Sequence, residues 1–283
     1  LICLANAISS FLSSGSKEII FTGLLVCPVF WEKSNFNRKL IYEKYSYGNG
    51  RKAIYKSVYP AGDPEKIFKD KLLSLSSKDK VALDIGCADG KFTLFVAPYF
   101  KKVFGIDTSK VNLDIAKSHS DDERSKNVEY FLQDASHTSF KNSFFDLAYC
   151  RRGPGYYTEY KRILKTSGFY LEIGIGEMDT IELKKIFGRG QNYGKWDTST
   201  LNRNVEELQT LGFEVIFAEN FHYFEYYPSY EEFDLFLQGV PIFEDFDSEK
   251  DKSALQEYVK NFSTNKGVQL SRHRLVMVAQ KLG

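Results

Sequence analysis

The sequence has 283 residues, 43% of them hydrophobic, which suits one large α/β domain with additions and excludes a disordered chain. Its 38 Lys and Arg stand against 37 Asp and Glu, so global charge gives no argument for nucleic acid or an anionic membrane as partner. Four scattered cysteines, Cys3, Cys27, Cys87 and Cys150, form no C-x-x-C pair; they signal neither a zinc module nor a disulfide framework, and they point to a reducing cytoplasm with no metal site.

In chain order, Leu1 to Leu12 is apolar but lacks the basic lead and cleavage pattern of a signal peptide. The run Ile19 to Phe30 is too short to cross a bilayer, so no membrane span is expected. Both runs are read as packing against the main domain or as an irregular arm. Asn35 to Pro60, rich in Tyr and Lys, is expected to be lid-like, which makes residues 1–62 an N-terminal extension and 63–283 the main domain. Asp63 caps a helix with Pro64 in its first turn and Phe68, Leu72 and Leu75 on one face. Lys80 to Ile85 is the first strand, and it breaks into a turn holding Gly86 and Gly90. Phe92, Phe95, Val96, Tyr99 and Phe100 recur at helical spacing, with Pro98 closing that helix early.

Lys102 to Asp107 is a second strand ending in an acid, close to the roughly 20-residue offset at which Rossmann-like folds place a ribose-binding carboxylate. Ser109 caps the next helix, Val128 to Leu132 is a third strand, and Phe144 to Cys150 a fourth. The stripe Tyr156, Tyr157, Tyr160, Ile163 and Leu164 is helical and closes near Gly168, before a fifth strand from Phe169 to Ile175. Leu201, Val205 and Leu208 mark a helix that stops at Gly212, and Phe213 to Ala218 begins a sixth strand. Ser229 and Glu232 form a capping box for a helix ending at Gly239. A further helix carries Leu255, Tyr258, Val259 and Phe262, and Arg274 to Ala279 is the last strand. The β-α alternation calls for a parallel sheet.

Asp84 stands at the carboxyl end of the first strand, where open α/β sheets bind ligands. A dinucleotide fingerprint needs glycines at its first, third and sixth positions; counted from Gly86 these hold Gly86, Ala88 and Lys91, so a nicotinamide site is excluded. Asp-Ile-Gly-Cys-Ala-Asp-Gly (84–90), Val-Phe-Gly-Ile-Asp-Thr-Ser, Gln-Asp-Ala, Phe-Asp-Leu-Ala-Tyr-Cys and Arg-Ile-Leu-Lys-Thr-Ser-Gly-Phe resemble, in order, the motifs of class I S-adenosylmethionine-dependent methyltransferases. The resemblance spans about Lys80 to Ile175, with Ala88 in the usual middle glycine position.

That resemblance implies an α/β, Rossmann-like, seven-stranded and mostly parallel sheet with helices on both faces, its last strand antiparallel between the fifth and sixth. It implies S-adenosylmethionine as cofactor. By position, Asp107 meets the ribose, Asp134 and the Ala135 amide meet the adenine, Gly86, Cys87, Ala88 and Gly90 lie beside the methionyl part, and Thr108 is a further cofactor-binding candidate. Asp84 serves cofactor contact or turn architecture. Cys150 falls on the cofactor side at the end of the fourth strand, although both it and Cys87 also fit as small buried fillers.

Substrate-side candidates are Arg151 and Arg152, suited to a carboxylate or phosphate unless one pairs with a domain carboxylate, together with Tyr223, Tyr226 and Tyr227. The loop Phe187 to Gly194 is read either as a glycine-hinged loop at the same edge or as a plain surface loop, within acceptor-side insertions at about 177–205 and 228–270. Most late aromatics should be core, and His222 a structural or surface residue. No catalytic residue is assigned, since transfer from an activated sulfonium needs chiefly positioning. The expected partner is a small-molecule acceptor ahead of RNA, with no membrane and no indication of oligomeric state. An RNA methyltransferase and a non-catalytic binding protein of the same fold are the alternatives.

Overall fold

In the computed structural model, which describes residues 52–119 and 123–283, the expected alternation of strands and helices is built around a run buried on both faces. Strand β1 is Lys56–Val58, helix α1 Pro64–Ser74 and strand β2 Val81–Ile85, in which Ala82 to Ile85 are all buried, as a central parallel strand requires. Helix α2 (Lys91–Val96), strand β3 (Lys102–Asp107), helix α3 (Lys110–Ser118), strand β4 (Val128–Leu132) and strand β5 (Phe145–Arg151) follow. Next come helix α4 (Tyr157–Ile163), strand β6 (Leu164–Ile175), helix α5 (Ile181–Phe187), helix α6 (Thr200–Thr210) and strand β7 (Phe213–Tyr227). Helix α7 (Tyr230–Gln238), helix α8 (Lys252–Phe262), the short strand β8 (Ser263–Thr264) and strand β9 (Gly267–Lys281) close the chain.

The sheet order is β1-β7-β9-β6-β5-β2-β3-β4, with β8 paired to β9. Strands β2 to β6 run parallel, and β9 lies antiparallel between β6 and β7. The expected seven-stranded core is thus present; β1, antiparallel to β7, and β8 are additions at its margin. Helices cover both faces. Leu83, Ile85, Phe145 and Ala148 pack with Tyr160 of α4 and Leu208 of α6, while Ala82, Leu147 and Tyr149 pack with Phe68 and Leu72 of α1 and Val96 of α2.

Local chemistry sets the helix starts. Asp63 Oδ1 accepts from the Glu65 amide at 2.9 Å, and Ser109 Oγ from the Asn112 amide at 3.3 Å. Three expectations change. Helix α4 ends at Ile163, not near Gly168, because Leu164 already pairs with Phe145 before a register shift in the β5–β6 ladder. The expected reciprocal capping box is half formed: Ser229 Oγ accepts from the Glu232 amide, but Glu232 Oε2 accepts from the Ile54 amide at 2.6 Å instead of reaching back. Phe221 to Tyr227, beyond the sixth strand expected to begin with Phe213 to Ala218, is the second half of β7, paired with β9 from Phe221↔Arg274 to Tyr227↔Val268.

The segments 177–205 and 228–270 hold α5, the start of α6, α7, α8 and β8. Leu183, Phe233, Phe243, Phe246, Leu255 and Tyr258 from them share one buried cluster with Tyr227 and Ala53. The runs Leu1–Leu12 and Ile19–Phe30 and most of the lid-like segment lie outside the described residues. Among the described residues no helix is long and apolar enough to cross a membrane.

Candidate functional site

Strand β2 pairs with β3 on one side and β5 on the other, so the chain order reverses there. The carboxyl ends of β2 and β5 flank that reversal, which is where open α/β sheets form a ligand crevice. A cavity of about 240 Å3 opens at this point, lined by Asp84, Gly86, Cys87, Ala88, Asp89, Lys91, Phe92, Arg151 and Arg152.

The turn after β2 is fastened to β3. The Gly86 and Cys87 amides both donate to the Ile106 carbonyl, at 2.9 and 3.0 Å. Gly86 has φ +73°, and a Cβ there would meet nothing within 4 Å, so bare backbone faces open space in which a flat ligand can lie. Gly90, at φ +72°, has the opposite reason: a Cβ would come within 2.4 Å of the Tyr130 hydroxyl. Ala88 also adopts a left-handed conformation, φ +48°, at the position where the resembled motif has glycine.

Asp107 joins the two strand ends. Its Oδ2 accepts from the Ala88 amide at 2.9 Å and its Oδ1 from the Ser109 amide at 2.8 Å. Burial raises its pKa above the ordinary value despite those amides. Each carboxylate oxygen keeps a further lone pair for a ligand hydroxyl. The Gln133 amide donates to the Asp107 carbonyl at 3.1 Å, which sets the turn carrying Asp134 and Ala135 beside it. Asp134 is exposed, with Oδ1 accepting from Ser136, while Ala135 is buried and Thr108 exposed.

Asp84 is buried and accepts from the Thr93 hydroxyl at 2.7 Å, tying the strand end to the first turn of α2 while also lining the cavity. Burial pushes its pKa up to about 6, against the Thr93 hydrogen bond and the Arg151 charge. Cys87 lines the cavity as a buried thiol that burial keeps protonated. Cys150 is fully buried, its sulfur 3.8 Å from the Pro154 carbonyl, and is not among the lining residues.

Arg151 and Arg152 stand in this same cavity, and the domain carboxylate that sequence alone could not name is Glu65, in the first turn of α1. Its Oε2 takes Arg151 Nη2 at 2.9 Å, and its Oε1 takes Arg152 Nη1. Burial would raise the Glu65 pKa, but the Arg152 and Arg151 charges win and hold it at about 2. No motif marks Glu65, Lys91 or Phe92 by chemistry, although the last two follow directly on the glycine turn; Asp89 stands within the motif, with no role of its own assigned by the resemblance.

The other substrate-side candidates are placed elsewhere. Tyr223 lies against Tyr59, with ring centroids 4.9 Å apart. Tyr227 is fully buried and donates to Glu225 at 2.8 Å, and Tyr226 is on the alternate face of β7, bonded to Gln269. None of the three lines the cavity. Of the loop after α5, Gln191 donates to the Ile242 carbonyl and Arg189 pairs with Asp245 and Asp251, so it packs on the C-terminal segment. His222 is exposed and stacks on His273 at 4.0 Å. Among the described residues no cluster of His, Cys, Asp and Glu could hold a metal ion.

A family model described as a methyltransferase domain matches residues 82–168. A Saccharomyces cerevisiae relative named "Probable S-adenosylmethionine-dependent methyltransferase CRG1" is 36% identical over 80 residues, 28% of this chain and 27% of that one. The ubiquinone biosynthesis O-methyltransferase of Coxiella burnetii is 26% identical over 145 residues, 50% of this chain and 53% of the relative. The chain therefore spans about half, or less, of the length of these curated relatives. The crystal structure of YcgJ from Bacillus subtilis shares the fold, with TM-score 0.54 at 16% identity over 77% of this chain and 99% of that one. The motif turn, the strand order and these matches identify a class I methyltransferase domain in this chain, of the family whose cofactor is S-adenosylmethionine.

Proposed function

We propose that this protein transfers a methyl group from S-adenosylmethionine to a small-molecule acceptor. The observation that carries the reading is the hydrogen bond joining Asp107 to the glycine turn, above a cavity at the point where strand order reverses. The residues fit the donor: bare backbone at Gly86, ionisable acids at the ends of β2 and β3, and guanidiniums at the end of β5. When bound, the donor supplies a methyl group on a cationic sulfur. The chain's part is to bind and orient. Asp107 accepts charge-assisted hydrogen bonds from the ribose hydroxyls, Asp134 and the Ala135 amide meet the adenine, and the Gly86–Gly90 turn carries the amino-acid tail. Holding nucleophile and methyl in line lowers such a barrier by roughly 7–11 kcal/mol in favourable cases.

A small acceptor is supported by the near-neutral composition, which offers little for polyanion binding, and by the Coxiella burnetii relative named for ubiquinone biosynthesis. The scattered cysteines favour a cytoplasmic setting. The acceptor approaches over the ends of β5 and β6, with residues from 177–205 and 228–270 shaping its path. Calorimetric titration tests the donor half: the wild type binds S-adenosylmethionine, and Asp107→Ala, with unchanged circular dichroism, loses about 1.5–3 kcal/mol of binding. Unchanged affinity in that variant removes Asp107 from the site. Incubation with methyl-labelled donor and a fractionated extract tests the other half, the label entering a small-molecule fraction and not RNA.

A further inference from the structure

We propose that Arg152 and Glu65 form an exchangeable clasp for the α-carboxylate of the methyl donor: Glu65 occupies the guanidinium in the free protein, and the donor's tail takes it over. The inference rests on the donor-binding reading above. From sequence the Arg151–Arg152 turn belongs to the acceptor; in the structure it shares one cavity with the turn that carries the donor's amino-acid tail, and none of the candidate acceptor tyrosines lines that cavity.

The two arginines are held differently. Arg151 has its guanidinium 4.1 Å from the centre of the Phe92 ring and is bonded to Glu65 Oε2, and its Nε is buried without a partner. It is the fixed member. Arg152 sits at φ +60°, its amide fastened to the Ile173 carbonyl at 2.7 Å, and its side chain is 37% exposed with its guanidinium on Glu65 Oε1. It is the member able to change partner. One carboxylate thus serves two guanidiniums, each of which can grip a carboxylate with a planar fork.

The charges around the cavity suit an amino-acid tail better than a simple anion. Arg151, Arg152 and Lys91 line the cavity with Asp84 and Asp89, Glu65 pairs with both arginines, and Lys91 and Asp89 pair at 3.0 Å. A zwitterion can give its carboxylate to Arg152 and its ammonium to the acids of the β2 turn without unbalancing the set. Replacing one carboxylate by another also leaves no guanidinium uncompensated, which is the costly outcome for a partly buried pair. Glu65 stays ionised far below neutral pH, so the exchange needs no proton.

The test is titration calorimetry of the full chain with S-adenosylmethionine and with its decarboxylated analogue, in wild type, Arg152→Ala and Glu65→Gln. Wild type should prefer the carboxylated donor. Arg152→Ala should lose roughly ten- to a hundredfold for S-adenosylmethionine and nothing for the analogue, abolishing the preference. Glu65→Gln, which removes the internal competitor, should bind S-adenosylmethionine several-fold more tightly and the analogue as before. Equal losses for both ligands in Arg152→Ala, or no loss for either, overturn the clasp while leaving donor binding intact. A wild type that binds neither ligand overturns the donor reading and the clasp with it.

Discussion

Two pairs of arginines in neighbouring parts of one sheet have opposite fates. Arg151 and Arg152, at the end of β5, share a single carboxylate at a cavity and keep 26% and 37% of their side chains exposed. Arg272 and Arg274, on one face of β9, are 9% and 4% exposed and are paired with buried protein acids. Arg272 bonds Asp179 at 3.1 Å and Glu225 at 2.7 Å, and Arg274 bonds Asp179 at 2.6 Å. Lys184 adds its ammonium to the Asp179 carbonyl at 2.7 Å, and burial lowers its pKa to about 8. The second pair holds the antiparallel half of the sheet to the turn before α5. The first has charge to lend to a ligand. Residue type alone does not separate the two; the number of acids within reach and the depth of burial do.

The largest effect expected from this contrast is on stability. Asp179 is kept well below the usual carboxylate range, because Arg272 and Arg274 outweigh its burial. Asp179→Asn leaves two buried guanidiniums facing a neutral amide, and should destabilise the protein by about 3–5 kcal/mol. Glu65→Gln, at the more exposed pair, should cost no more than about 1 kcal/mol. Urea midpoints of the two variants decide the matter. Equal losses would mean that the cavity pair is as structural as the buried one.

A second effect separates by pH an acid that lines the cavity from the acid that pairs with its arginines. Asp84 has its pKa raised from 3.8 to about 6, so between those values the folded protein holds a proton that the unfolded chain has released. Stability from this group therefore falls as pH rises through that window, by up to about 3 kcal/mol at 1.36 kcal/mol per pH unit. Glu65 has the opposite sign: its pKa falls from 4.5 to about 2, so its contribution is present above the unfolded value and is lost as pH drops through the folded one. Subtracting the stability of Asp84→Asn from that of wild type, from pH 4 to 7, should give a curve that declines with pH. A flat difference would place Asp84 in a wetter setting than its 3% exposure indicates.

What was readable from the sequence follows the range of the interactions involved. Lys102–Asp107 and Val128–Leu132 match their expected bounds, because apolar runs ending in an acid or a turn are local signals. The start of β6 was misplaced because Leu164 is held by pairing with Phe145 across a register shift, which no window around Leu164 contains. The second half of β7 was hidden by its own chemistry: Glu225 sits buried among inward-facing residues, matched by Arg272, while Phe224 and Tyr226 face the other way. Alternation of apolar and polar residues is erased there. Glu65 was out of reach altogether, being 86 residues from Arg151 and without any motif of its own. The glycine turn and its acids were readable because backbone geometry, not a distant partner, fixes them.

The smallest effect concerns strain, which both walls of the cavity carry. Ala88 at φ +48° and Arg152 at φ +60° are non-glycine residues in the left-handed region, whereas Arg272 and Arg274 lie in a regular strand. An L-residue there bears roughly 1–2 kcal/mol that glycine does not, while glycine gives back part of this through the freedom it gains in the unfolded chain. Ala88→Gly should therefore stabilise the protein by about 1 kcal/mol or less, read as a small rise in the urea midpoint. The amide that donates to Asp107 is unchanged by the substitution, so affinity for S-adenosylmethionine should stay within about twofold if the conformation is already the binding one. A gain in stability with a marked loss of affinity would show instead that the alanine methyl holds the turn in place for the ligand, so that the strain at Ala88 is retained for binding in the way the exposed charge at Arg152 is.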